Sequence, residues 1–133
     1  MSQLSTTDRE TLRETWEFPY SPQALKEASE KRLEYHQQRL EWWENEREEA
    51  EGKLKDKGFE YREQQRSTLA KELVVVADPD LLKRVKECSD KVTQHERRIR
   101  EYEAWIRAFT VKMEKEPGTD IPLKIKDILH FGL

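Results

Sequence analysis

Three histidines and one cysteine are the side chains in this sequence best suited to hold a metal or form a covalent intermediate. Cys88 and His95 stand seven residues apart, roughly 10 Å along a helix axis, which is too far for both to ligate one ion directly. A di-iron helical bundle needs paired Glu-x-x-His motifs. Here the residues three before His36, His95 and His130 are Leu33, Val92 and Asp127. A single cysteine also rules out the paired Cys-x-x-Cys spacing of structural zinc. No metal and no cofactor are therefore expected.

Covalent and acid–base chemistry find no better support. Cys88 lies between Val85 and Val92 on one helical stripe, where a thiol acts as a small hydrophobe. No serine sits in a glycine-rich elbow, and no glycine-rich phosphate loop is present. Carboxylates are plentiful, but in a chain that is 40% charged they read as solvated helix faces. Catalysis needs a concave pocket, and a seam between two helices offers none. The expectation is a non-enzyme with no catalytic residue.

Binding chemistry is better represented. The most basic cluster is HERRIRE at 95–101, where Arg97, Arg98 and Arg100 stand among Glu96, Glu101 and the nearby Glu103. Intrahelical ion pairing on an outer face is the first reading. Phosphate contact by these three arginines, in a nucleic-acid-associated accessory protein, is the alternative. Aromatics point elsewhere. Trp42 and Trp43 are adjacent, so on a helix they diverge by about 100° and cannot both enter one seam. With Trp43 in the seam, Trp42 joins Ala28 and Tyr35 on a second stripe. A further outer patch is formed by Ala104, Trp105, Ala108 and Val111. Either the terminal segments 1–20 and 117–133 fold back over these stripes, or Tyr35, Trp42, Trp105, Ala108 and Val111 bind a protein partner or a second copy of the chain.

The elements that must carry these residues are long helices. Leu81, Val85, Cys88, Val92, His95, Ile99, Tyr102, Ile106, Phe109 and Met113 recur at alternating four- and three-residue steps, the pattern of a coiled coil. Upstream, Leu33, His36, Leu40, Trp43, Arg47, Ala50 and Leu54 supply a matching seam, in which Arg47 must snorkel or find a carboxylate. Ser21-Pro22 reads as N-cap and first turn of the first long helix, about 22–57, with Gly58 as its left-handed stop. Asp78-Pro79-Asp80 opens the second, about 79–116, which Pro117-Gly118 ends. Such arms are each roughly 55 Å long at 1.5 Å rise per residue. They would lay residue 40 opposite 95–96; a first helix reaching Val76 would place residue 61 there instead.

The fold class expected is all-α, an antiparallel coiled-coil-like hairpin with short terminal elements, in one domain spanning 1–133. Thr7 and Glu10 form a capping-box pattern for a short helix from Asp8 to about Glu17, which Phe18-Pro19-Tyr20 ends. The connector 58–78 reads two ways. GFEYRE alternates and ELVVVA is β-branched, as a small β-hairpin at the tip requires, yet Tyr61, Leu69, Leu73 and Val76 also fit a continued helix. In the C-terminal segment 117–133, Ile121, Ile125, Ile128 and Leu129 fit a helical face, while Leu123 with Ile125 fits a strand.

Charge agrees with the pairing of the arms. From Glu27 to Glu51 nine acids face four bases, whereas the second arm carries ten bases against eight acids. Its flank of Arg84, Lys91, Arg98 and Lys112 is basic. A net charge of -3 disfavours nucleic acid and anionic membrane as partners. The polar N-terminus does not read as a signal peptide, and the longest apolar run, Leu73 to Ala77, is far short of a bilayer span. A soluble, cytoplasmic interaction or scaffold module follows, working through helix surfaces and able to form a homodimer.

Overall fold

A computed structural model of the chain describes residues 5, 6, 11, 15–67 and 78–133, the stretch 58–67 as backbone. In order the elements are strand β1 (Phe18–Tyr20), helix α1 (Pro22–Ser67), helix α2 (Pro79–Lys115), strand β2 (Ile121–Leu123) and helix α3 (Ile125–His130). The architecture is a helical hairpin in which the two long helices pack against each other, with a short terminal helix and a small antiparallel sheet. The chain divides into two compact units, Met1–Tyr35 with Arg98–Leu133, and His36–Arg97.

Both long helices start where their caps require. The Ser21 hydroxyl accepts from the Ala24 N–H at 3.1 Å, leaving Pro22 at the position where a missing N–H costs nothing. Asp78 Oδ1 accepts from the N–H groups of Asp80 at 2.9 Å and Leu81 at 3.3 Å. The other oxygen of Asp78 takes a hydrogen bond from Lys57. That bond, with the two backbone donors, holds the Asp78 carboxyl below its ordinary range.

Helix α1 runs further than its sequence suggests. It passes through Gly58 to Ser67 instead of stopping near Lys57, and the alternation in GFEYRE is not used as strand. One glycine costs a helix only about 1 kcal/mol, and the following FEYREQQRS contains no proline. The ELVVVA run lies outside the described residues, as do Thr7 and Glu10; Thr11 and Thr15 are helical, and the Thr15 hydroxyl donates to the Thr11 carbonyl at 2.6 Å.

In the first unit, β1 and β2 pair antiparallel in the register Phe18 to Leu123, Pro19 to Pro122, Tyr20 to Ile121. A proline opposite a proline removes two potential donors, so this ladder is short. Leu25, Ala28, Tyr102, Phe109, Leu123 and Phe131 form the core, with Tyr20, Leu33, Ile121 and Ile128 packed around it. Helix α3 ends on Phe131 and Gly132. The Leu133 N–H returns to the Ile128 carbonyl at 3.0 Å and the Gly132 N–H to Leu129 at 3.1 Å, with Gly132 at φ +72°. This is a Schellman ending, which needs the left-handed glycine.

The second unit is simpler. Trp43, Cys88 and Val92 are buried against one another, with Leu40 at their side. Every position assigned to the two seams from Leu33 to Leu54 and from Leu81 to Met113 is buried or half-buried.

Candidate functional site

The residues expected to bind a partner fall in two settings. In the first unit, Trp105 is 42% exposed although it stacks on Phe109 at 5.5 Å and meets Phe131 edge-on at 5.5 Å. Ala108 is exposed one turn on, and Val111 is 45% exposed beyond it. Tyr35, half exposed, lines a shallow groove of about 430 Å³ with Ala24, Lys31, Arg32 and the C-terminal Phe131–Leu133. Ala28 belongs to the core beneath and not to an outer stripe, because the C-terminal segment folds over it through Phe131.

In the second unit, Trp42 is 42% exposed while its neighbour Trp43 is 8% exposed. Their rings meet edge to face, with centroids 4.7 Å apart. The Arg39 guanidinium lies 4.7 Å from the centre of the Trp42 ring and 5.8 Å from that of Trp43. Arg84 reaches the Trp43 ring from α2 at 5.4 Å, and its Nη2 bonds Glu46 on α1 at 3.0 Å. That bond raises the Arg84 guanidinium further into its charged range. Trp43 is thus lidded by cations from both helices, an arrangement favoured by the negative face of the indole. Arg47 finds its carboxylate within α1, at Glu51.

Of the basic flank, Arg84 makes this bond to α1, whereas Arg98 bonds Glu101 at 2.9 Å and Lys112 bonds Glu116, both along α2. Arg97 and Arg100 are exposed. Arg98 therefore has a carboxylate at its guanidinium where the nucleic-acid reading needs a phosphate.

The histidines hold the feature that sequence reasoning missed. His36 on α1 and His95 on α2 face each other with Nδ1 atoms 2.9 Å apart, rings tilted at 46° and centroids 5.1 Å apart. The expected register placed residue 40 opposite 95–96; the observed one is a helical turn away. Helix ends do not set it. Side-chain matching does, since this alignment puts imidazole against imidazole and the large Trp43 against the small Cys88. Burial lowers the His95 basicity, and Arg39 and Lys91 lower it further. His130 is placed differently: its ring stacks on Tyr102 at 5.4 Å, and its carbonyl accepts from the Tyr102 hydroxyl at 2.8 Å. Burial pushes the Tyr102 hydroxyl above its ordinary value.

Among the described residues, no three His, Cys, Asp or Glu side chains are grouped to hold a metal ion. Cys88 is fully buried. Among the described residues no helix is long and apolar enough to cross a membrane. Comparison with protein-family models, curated proteins and solved structures returned no match.

Proposed function

We propose that this chain is a non-enzymatic interaction or scaffold module that captures a protein partner, a second copy of itself included, through aromatic residues on its helix surfaces. One observation carries the reading: Tyr35, Trp42 and Trp105 each keep between 42% and 50% of their surface in water while Trp43 and Phe109 beside them are buried. Burying a large apolar side chain is worth roughly 1.5–3 kcal/mol, and aromatic anchors dominate measured interface energies. The heptad seam suits a scaffold, because coiled-coil packing buries one stripe of each long helix and leaves the outer faces free. The single buried cysteine suits a reducing cytoplasm.

Light scattering of the wild-type chain against Trp42→Glu and Trp105→Glu tests the proposal. The expected result is loss of the dimer, or of capture of a co-purifying partner, with helix content by circular dichroism unchanged. A monomer without partner capture, whose Trp42→Glu variant instead melts early and cooperatively, would make the aromatics core residues and sink the reading. Salt-dependent binding of a DNA duplex, weakened in Arg97→Gln and Arg100→Gln, would move the chain to the nucleic-acid class instead.

A further inference from the structure

The histidine pair between α1 and α2 is a hydrogen bond with a defined proton count. Each neutral imidazole carries one N–H and one lone pair. At 2.9 Å, one Nδ1 must donate and the other accept, so the two facing atoms share a single proton. A first added proton can enter at the Nε2 of the donor ring. It leaves the Nδ1–H···Nδ1 bond in place and makes it charge-assisted. A second proton has only the accepting Nδ1 left. It deletes the acceptor and sets two N–H groups and two cations face to face.

From this geometry we infer that His36 and His95 form an acid-released latch of the second unit, which holds the α1–α2 seam closed with zero or one added proton and opens it with two. On the His95 side the surroundings favour release. The charged groups acting on His95 are Arg39 from α1 and Lys91 from α2, both cations, and Arg98 one turn further along α2 is occupied by Glu101. Leu40, one turn along α1, and Val92, one turn back along α2, belong to the apolar seam beside the half-buried pair. What opens is the packing of Trp43, Cys88 and Val92, so acid would present an apolar, thiol-bearing helix face that is buried at neutral pH.

The linkage has one sign. A histidine whose folded-state basicity is depressed contributes its full stability above the unfolded value near 6.5, and that contribution is lost as pH falls through the lower folded value. The window for release therefore opens at about pH 6.5 and extends downward from there.

Two measurements on the full chain, with EDTA present, test the latch. Side-chain nitrogen NMR should resolve two separated protonation steps for the pair, as expected of coupled sites. Cys88 labelling by a dipyridyl disulfide, normalised at each pH to the urea-unfolded chain, should accelerate severalfold between about pH 7.5 and 5. The variant His36→Leu with His95→Leu keeps the seam apolar and should show no such acceleration. The latch is overturned if both imidazoles titrate together at an ordinary value, or if the double variant reproduces the wild-type acceleration.

Discussion

Gly132 is the residue where backbone and side-chain demands meet most tightly. Its φ of +72° closes the Schellman ending of α3, and Arg32 lies across it so closely that an added Cβ would stand 2.6 Å from a guanidinium nitrogen. The guanidinium is the far end of a flexible chain and can swing aside; the backbone cannot. Gly132→Ala should therefore destabilise by about 1–2 kcal/mol, the cost of a left-handed conformation for an L-residue. Gly118 makes a useful comparison, since its φ of +77° is similar but an added Cβ meets nothing within 4 Å. Gly118→Ala isolates the backbone cost. Equal shifts in thermal midpoint would assign the whole effect at Gly132 to φ, while no shift at either position would defeat the prediction. The sequence marked Gly118, with Pro117, as the stop of the second long helix. It gave no sign of Arg32, whose approach depends on a segment about a hundred residues away.

Among the elements, the C-terminal β2–α3 segment does more than end the chain. Leu123 and Phe131 are 6% and 4% exposed, and they close the core over Leu25, Ala28, Tyr102 and Phe109. Phe131 also meets Phe109 at 5.6 Å and Trp105 at 5.5 Å. Phe131→Ala should cost about 3–5 kcal/mol, typical of a buried aromatic cut to alanine, and should raise Trp105 exposure as read by fluorescence quenching. Unchanged quenching would mean that the segment does not cover this core. The long helices were legible because their signals are local and repeated: a capping side chain beside a proline, then a heptad sustained over many turns. The seam positions follow from that periodicity alone. Strand β1 was not legible, and β2 only in part through the strand reading at Leu123, since each is three residues long and so short an alternation carries little signal. What makes them strands is each other, across a separation in sequence that no local pattern reports. The register was hidden for a related reason. It rests on imidazole matching imidazole and indole matching thiol, and a reading that aligned helix ends could not weigh that match.

At the scale of the whole molecule, the two units draw on the same pair of helices but protect them unequally. Among the described residues, the first unit has six buried side chains in one cluster, closed by strand and helix contributed from both termini. The second has Trp43, Cys88 and Val92, so its share of α1 and α2 is held by one narrow seam, a histidine pair and ion pairs such as Arg84 with Glu46. Exposed or half-exposed ion pairs contribute at most about 1 kcal/mol, and few buried apolar contacts mean a low free energy of local opening. Backbone protection should therefore change within each long helix and not between them. Amide exchange at neutral pH should be slower for 22–35 and 98–115 than for 36–57 and 79–97, with the break near Tyr35 on α1 and near Arg98 on α2. Phe131→Ala should speed exchange in the first set well before the second, and Val92→Ala the reverse. Uniform protection along α1, or a Val92→Ala variant that loosens both sets alike, would mean that the helices unfold as one cooperative block and that the two cores are not independent.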